Sequence, residues 1–496
     1  MTERFQNFID EKWVDAANGT TFEDINPANR TDVLGTFPSS DHRDVDRAVE
    51  AARADFPMWR RTPAPRRAEI LFRAAEFLLR RKEELAQLLT REMGKVLRES
   101  QAEVQVAVEQ LYFIAGEGRR QYGETTPSEL PDNFAMTVRV PLGVVAAITP
   151  WSFPLAIPSV KLASALVAGN TVVFKPAEDT PLMAVRFVEI LLAAGLPPGV
   201  VNLVHGHGEE AGAPLTRHPE VALVSFTGSS DVGREVAIAC AAEHKRVSLE
   251  LGGKNPILVM EDADLDLAVG GTIGGGFGTS GQCCTAASRI LVHKKVLRDF
   301  ADRLLTKTQA LRLGDGMCPT TDVGPIINEG QLKRVHGFTR IGLKEGAKLL
   351  CGGEIYREGE CRKGFFYTPT VFGDVSSKMR IAQEEIFGPT VSLLPVASLE
   401  EAIEAANSGR FGLSAAIYTR DINRAFRAIE WVEAGILSVN APTIGVEAHL
   451  PFGGMRQSGN GRREAGRQVL DVYTEWKTVY IDYSGKLQRA QIHPGR

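Results

Sequence analysis

Two residues carry the chemistry open to this chain: Cys284, within Ser280-Gly281-Gln282-Cys283-Cys284-Thr285-Ala286, and Glu250, within Leu249-Glu250-Leu251-Gly252-Gly253-Lys254. A thiol becomes a nucleophile when it ionises, and a carboxylate with a pKa raised by burial can take a proton from water near neutral pH. Each is flanked by glycines that let other groups come close. Taken alone, a cysteine is more often a small buried hydrophobe, and a lone glutamate more often a surface acid near a turn. Cys283 beside Cys284 also admits a vicinal redox pair as the lesser reading. Glu250 ends a strand-like run, Arg246 to Leu251, and open α/β sheets collect their ligands at strand ends.

Three further runs have the form of a ligand cradle. Phe226-Thr227-Gly228-Ser229-Ser230-Asp231-Val232-Gly233 follows a strand and opens a helix. Its glycines allow a tight turn, and Ser229 with the helix-start N–H groups can hold a pyrophosphate, although the spacing is not that of the standard dinucleotide fingerprint. Val173-Phe174-Lys175-Pro176-Ala177-Glu178 lies at another strand end, where a plain ion pair is the simpler reading. Glu384-Glu385-Ile386-Phe387-Gly388-Pro389 sets two acids before an aromatic, and adjacent acids are usually just solvated.

The elements that must position these groups alternate. From Asp44 to Arg120 apolar residues recur at helical spacing among dense charge, with Pro63 and Pro65 breaking one helix from the next. Val144–Ile148, Thr171–Phe174, Val200–Val204 and Ala222–Phe226 then read as strands separated by helices, the pattern of a parallel doubly wound sheet. A second series follows the cysteine: strands at Arg289–His293, Thr390–Val396, Leu413–Thr419 and Gly435–Asn440, with helices Leu399–Asn407 and Ile422–Val432. Arg362–Thr368 reads as a loop entering a strand, and Asn18-Gly19 as a hairpin signal. The glycines from Gly270 to Gly281 predict an open or closely approached backbone rather than a packed helix. Tyr473–Tyr483 alternates like a strand and, with the strand ending at Val140, could pair with a neighbouring subunit.

Composition sets the bounds. A chain of 496 residues, 44% apolar and 24% charged, exceeds one ordinary domain. The net charge of −4, with both signs interspersed, leaves no footprint for nucleic acid or an anionic membrane, so a small-molecule substrate is expected. The first residues do not form a secretory signal, and the best apolar stretch, Pro154–Gly169, is broken by Pro158 and Lys161. Six cysteines without metal-ligand spacing fit free thiols in a cytoplasmic, reducing compartment.

Taken together and in order, from about Asn26-Pro27 to Pro451-Phe452-Gly453-Gly454, these motifs resemble those of the aldehyde dehydrogenase superfamily. The resemblance implies an α/β fold of two doubly wound parallel-sheet domains plus a small β oligomerisation element. Residues 1–118 and 142–252 would form the NAD-binding domain, 253–455 the catalytic domain, and 119–141 with 470–490 the oligomerisation element of a homodimer or homotetramer. It places the nucleophile on Cys284 and the base on Glu250. NAD would be held by Lys175 and Glu178 at the adenosine ribose, by Gly228, Ser229 and Gly233 at the pyrophosphate, and by Glu385 and Phe387 on the nicotinamide side, with Trp151 and Leu251 among its contacts. A carboxylate at Glu178 accepts from a free 2′-hydroxyl and repels a 2′-phosphate, which favours NAD, with NADP the lesser alternative because Lys175 offsets part of the repulsion.

One departure stands out. The family usually has asparagine where this chain has Ser152, in Thr149-Pro150-Trp151-Ser152-Phe153-Pro154, and that amide helps to hold the oxyanion. Either Ser152 does the work through a water, or activity is low or redirected, or the residue has been altered; losing such a donor costs roughly 100- to 1000-fold in turnover. The closing run Met455-Arg456-Gln457-Ser458-Gly459 also differs locally from the usual lysine-containing one.

The implied reaction is attack of Cys284 on an aldehyde, hydride transfer to the nicotinamide, and hydrolysis of the thioester by water activated by Glu250. A cofactor-independent cysteine hydrolase, a CoA-acylating dehydrogenase and a non-catalytic scaffold are the alternatives. Selectivity is expected from the helix around Gln105–Phe113, from Phe153, from the neighbours of Cys284 and from the loop Pro442–His449, and no arginine cluster marks a carboxylate anchor. Cys-Thr-Ala around the nucleophile resembles semialdehyde-oxidising members, so a semialdehyde is the preferred substrate, ahead of aliphatic or aromatic aldehydes.

Overall fold

Parallel strands need crossover helices, and the first alternating series closes on itself in that way. In the computed structural model, which describes residues 3–445 and 447–488, strands Val144–Ile148, Thr171–Lys175, Val201–Leu203, Val221–Thr227 and Arg246–Glu250 form one parallel array. Counted along the chain from one to five, they lie in the order 5-4-1-2-3, extended at the far edge by the antiparallel strands Asn7–Ile9 and Lys12–Val14. The order reverses between Val144–Ile148 and Val221–Thr227, whose C-terminal ends carry Trp151-Ser152 and Gly228-Ser229. That reversal opens a crevice, the usual ligand position of such sheets.

A second seven-stranded sheet is built from Asn255–Val259, Ala287–His293, Thr370–Gly373, Thr390–Val396, Ser414–Tyr418 and Ile436–Val439, all parallel, with Lys348–Cys351 antiparallel at one edge. Both sheets are therefore parallel with antiparallel margins. Asn255–Val259, a central strand, has no counterpart among the strands expected from sequence. It is short and begins beside a proline, Pro256, whose missing N–H is tolerated where the register shifts between Asn255 and Pro256. Only four residues separate it from Glu250 at the end of the first sheet, so the two sheets meet where the candidate base stands.

Four helices, His42–Arg61, Ala64–Arg80, Lys82–Met93 and Leu97–Glu117, account for the amphipathic N-terminal region. Pro63 starts the second of them, where its missing N–H costs nothing. Trp59 is buried in the core between this bundle and the first sheet, and its indole N–H donates to the Leu166 carbonyl at 3.2 Å. A three-stranded antiparallel sheet, in the order Thr474–Asp482, Asn133–Pro141, Thr125–Pro127, contains both segments expected to lie beyond the two main sheets. Residues 489 and 490 of the segment 470–490, and Val446 in the loop 442–449, lie outside the described residues.

Two local expectations are corrected. The turn between Asn7–Ile9 and Lys12–Val14 is made by Asp10 and Glu11, both left-handed, whereas Asn18-Gly19 turns the chain from one sheet into another. The glycines after Gly270 do not prevent a helix: Leu265–Phe277 is helical. They permit close approach instead, since a Cβ at Gly276 would sit 2.5 Å from the Val391 side chain and one at Gly271 would sit 1.8 Å from the Tyr418 hydroxyl. Helix propensity yields here to helix-on-sheet packing.

Trp59→Ala removes a fully buried side chain and leaves its cavity between two layers. It is expected to destabilise the protein by about 3–5 kcal/mol, seen as a urea unfolding transition at lower concentration.

Candidate active site

The nucleophile segment is built against backbone preference. Thr279, Ser280 and Gly281 are consecutive left-handed residues, and only the last is a residue type that adopts this conformation freely. Local hydrogen bonds hold the strained turn: Glu99 accepts from the Thr279 N–H at 2.9 Å, and the Ser280 hydroxyl donates to the Gly324 carbonyl at 2.8 Å. The Gln282 amide accepts from the Ile327 N–H and donates to the Pro325 carbonyl. The Asn255 side-chain amide donates to the carbonyls of both Cys284 and Ala286, at 2.8 and 2.9 Å. Gly253 must be glycine, because a Cβ there would lie 2.5 Å from the Cys284 carbonyl oxygen.

Cys283 and Cys284 are both half-buried. The adjacent Cys283 thiol, then burial, then the negative charge of Cys283, Glu385 and Glu250 push Cys284 well above the usual thiol range. The Cys283 thiol, beside Cys284 and facing the Thr285 hydroxyl at 3.1 Å, is pushed down to about 7. Cys284 therefore needs a base or a closing ligand to become thiolate.

Glu250 is buried at the end of its strand, and neither of its carboxylate oxygens has a hydrogen-bond partner among the described residues. Burial, then the Glu464 carboxylate, pushes it well above the ordinary range, against the opposing charges of Lys161 and Arg463. Beneath it lies a satisfied polar cluster: Lys161 pairs with Glu464 and donates to the Ser225 hydroxyl at 2.9 Å, and the Tyr473 hydroxyl donates to Ser225 at 2.9 Å. A cavity of about 630 Å³ is lined by Cys284, Cys283 and Glu250 together, with Phe153, Gln110 and Phe452 among its walls.

The remaining expected residues surround this centre. Lys175 ends its strand buried and lies 3.2 Å from Glu178, with His207 at 3.7 Å from the same carboxylate. Burial pushes Glu178 up, and Lys175, a backbone hydrogen bond and His207 together outweigh it, leaving the carboxyl below its usual range. Ser229 caps the helix Ser230–Ala242 by accepting from the Val232 N–H, and the flanking glycines let neighbouring side chains pack close. A Cβ at Gly228 would meet the Phe226 ring at 2.5 Å, and one at Gly233 would meet the Leu251 side chain at 2.4 Å. Glu385 accepts from the Gly253 N–H at 2.9 Å and is pushed up to about 6 by burial. Phe387 is itself left-handed, held by two bonds from the Gln331 amide to the carbonyls of Ile386 and Phe387, and packs edge-on against Trp151 with ring centres 5.2 Å apart.

Ser152 is buried in the bend that precedes helix Ala156–Ala168. Its carbonyl accepts from Lys95 at 2.9 Å, and its hydroxyl makes no hydrogen bond among the described residues and does not line the cavity. The bend is clamped from below. Lys95 pairs with Glu103, whose other oxygen accepts from the N–H groups of Leu155 and Ala156, and the Lys95 ammonium lies 3.9 Å from the centre of the Phe153 ring. Sequence reasoning missed Lys95, Glu99, Glu103, Asn255 and Gln331. Asn255 could have been suspected from its place one residue beyond Lys254, but the others are polar residues on helices or in turns, with no local pattern to separate them from surface positions.

The profile of the aldehyde dehydrogenase family matches residues 13–479. Similar proteins include the alpha-ketoglutaric semialdehyde dehydrogenase of Bacillus subtilis, 42% identical over 96% of this chain and 98% of that protein. Another is the 2,5-dioxopentanoate dehydrogenase of Saccharolobus solfataricus, 43% identical over 95% of this chain and 98% of that one. Among solved structures, a betaine aldehyde dehydrogenase of Staphylococcus aureus in complex with NAD+ superposes with a TM-score of 0.95 at 35% identity, covering 97% of each chain. An NAD-dependent aldehyde dehydrogenase from Sinorhizobium meliloti superposes with the same TM-score, 0.95, at 38% identity, covering 99% of this chain and 97% of that one.

The coupled thiols generate a test. Cys283→Ala removes the neighbouring thiol that raises Cys284, so alkylation of Cys284 by iodoacetamide, followed by peptide mass mapping, should reach its half-maximal rate at lower pH in the variant than in the parent protein.

Proposed function

The chain belongs to the aldehyde dehydrogenase family and is an NAD(P)-dependent oxidoreductase of aldehydes; from that premise we propose that its substrate is the semialdehyde of a 2-oxo dicarboxylic acid, 2,5-dioxopentanoate, with Cys284 as nucleophile and Glu250 as base. The observation that carries the residue roles is that Cys284, in the turn before strand Ala287–His293 of the second sheet, and Glu250, at a strand end of the first, line one cavity. The substrate reading rests on the two relatives whose names specify this compound, α-ketoglutarate semialdehyde and 2,5-dioxopentanoate being one molecule.

The residues present suit NAD. Gly252 leaves the Glu385 carboxylate uncrowded, where a Cβ would approach it to 2.2 Å, and Glu178, ionised beside Lys175, offers an acceptor suited to a ribose diol. Lys175 and Glu178 would hold the adenosine ribose, Gly228, Ser229 and Gly233 the pyrophosphate, and Glu385 with Phe387, Trp151 and Leu251 the nicotinamide side. When bound, NAD supplies the hydride acceptor. The chain's own residues do the rest. Cys284, deprotonated, attacks the aldehyde carbon to give a thiohemiacetal, and its backbone N–H with a donor from the Ser152 bend would face the oxyanion. After oxidation to the thioester, Glu250 takes a proton from water, which attacks the acyl carbon and frees the acid and the Cys284 thiol. A raised carboxyl pKa suits this base, and deacylation gains rate as pH rises through that pKa.

The parts of the fold beyond the site fit a domain division at 1–118 with 142–252, 253–455, and 119–141 with 470–490. Trp476, Tyr480 and Ile481, on a long edge strand, are exposed, which suits a homodimer or homotetramer formed through that sheet. Six unpaired cysteines suit a cytoplasmic address, and no helix of the described residues is long and apolar enough to cross a membrane.

A panel of 2,5-dioxopentanoate, aliphatic and aromatic aldehydes, with NAD or NADP and with or without CoA, read by NADH or NADPH absorbance, tests the substrate. The expected outcome is the highest kcat/KM with 2,5-dioxopentanoate and NAD, without a CoA requirement; a clear preference for unsubstituted aldehydes overturns the substrate assignment. Cys284→Ala is expected to abolish oxidation, whereas Glu250→Gln retains a stoichiometric burst of NADH and then stalls. Loss of the burst in Glu250→Gln removes the assigned role of Glu250.

A further inference from the structure

The helix Leu97–Glu117 presents Glu99, Glu103, Val106 and Gln110 to the cavity, a spacing of four, three and four that keeps them on one face. Most polar groups on the cavity wall are already committed. Glu99 accepts from the backbone N–H groups of Thr279 and Val96, and Glu103 from Lys95, Leu155 and Ala156. Glu464 pairs with Lys161. Arg98, the one lining cation among the described residues, donates to the carbonyls of Thr321 and Asp322 and faces the Asp322 carboxylate at 3.8 Å.

Gln110 differs from these. The residue is 5% exposed, its Oε1 is buried without a hydrogen-bond partner among the described residues, and it lies on a wall shared with Phe153, Ile157, Val160 and Phe452. A buried primary amide among apolar side chains is a costly group to leave unpaired, and packing alone would be served as well by leucine or methionine. Of the other cavity residues, only Glu250 and Thr227 carry a buried oxygen in the same condition. Glu250 is the proposed base, and Thr227 precedes Gly228 in the proposed cofactor turn. A half-turn of the Gln110 amide exchanges its oxygen and nitrogen with little change of shape, so the same position can present a donor.

We propose that Gln110 is a specificity-determining residue, its amide donating to a non-reacting oxygen, 2-oxo or carboxylate, of an oxo-acid semialdehyde whose aldehyde carbon is at Cys284. This rests on the substrate reading given under the preceding heading. It also removes the need for a free arginine, because a neutral amide in a low-dielectric pocket can select an oxygenated chain over a hydrocarbon one. An unsubstituted aldehyde would fill the same space and leave the amide unpaired, and sites built to hydrogen-bond a substrate discriminate strongly against analogues that lack the group.

The test compares 2,5-dioxopentanoate with pentanal, of equal carbon count, in the NAD-supplied enzyme. Gln110→Met keeps the volume and removes the amide; Gln110→Glu keeps the shape and opposes an anion. The ratio of kcat/KM for the two substrates is expected to fall roughly 10- to 100-fold in Gln110→Met and further in Gln110→Glu, mostly through KM for the oxo acid. Inhibition of the parent enzyme by 2-oxoglutarate should weaken in parallel, a binding readout that does not depend on turnover of the variant. Three outcomes separate the two readings. If the parent enzyme itself shows no preference for 2,5-dioxopentanoate, the substrate assignment has failed whatever Gln110 does. If the parent shows the preference and either folded variant keeps it within twofold, the role of Gln110 is overturned. Should both variants melt well below the parent, Gln110→Asn, which retracts the amide by one methylene, replaces them under the same criterion.

Discussion

The Asn255 side chain is the joint on which the site depends. Its amide donates to the carbonyls of Cys284 and Ala286, and its backbone begins a strand of the second sheet. Its oxygen accepts from the Ser414 N–H of the neighbouring strand, so both ends of the amide are held. Two residues earlier, Gly253 lets the Cys284 carbonyl come closer than any side chain would allow, and its N–H is given to Glu385. One short segment thus links the end of the first sheet, the nucleophile loop and the acid at the nicotinamide side. Remove its glycines or its amide and three groups from distant parts of the chain lose their common reference.

Burial is the second constraint, and it acts in both directions. Desolvation raises Glu250 and Glu385 and, together with the thiol pair, Cys284, while it pushes Lys254 down to about 7. Each shift favours the uncharged form of its group, the direction that burial imposes on acids and bases alike. The buried pairs nearby do different work. Lys95 with Glu103 holds the bend that carries Ser152 and Phe153, and Lys161 with Glu464 underlies Glu250. Breaking either pair would leave a charge in the interior without compensation, which is why both are more safely read as positioning devices than as sources of net stability.

Much of this was legible in the residues. The two alternating series fold as the two sheets, and strands such as Val144–Ile148 and Thr390–Val396 lie where the apolar runs placed them. What misled was glycine. The run after Gly270 reads as a loop because propensity counts each glycine against a helix, yet Val391 and Tyr418 occupy the space their side chains would need. The central strand from Asn255 is hidden for a related reason: five residues opening on Asn-Pro show little strand character until neighbours on both sides supply the hydrogen bonds.

By itself the sequence determined the family, the order of the elements and which thiol and carboxylate to take as candidates, because those depend on residue type and on spacing along the chain. Only the tertiary structure decided that a turn of left-handed residues precedes Cys284, that Lys95 and Glu103 clamp the Ser152 bend, and that Gln110 stands in the cavity wall with an oxygen that has no partner among the described residues. Those facts arise from contacts between residues far apart in the chain, and desolvation and hydrogen-bond satisfaction exist only once the chain has closed around them.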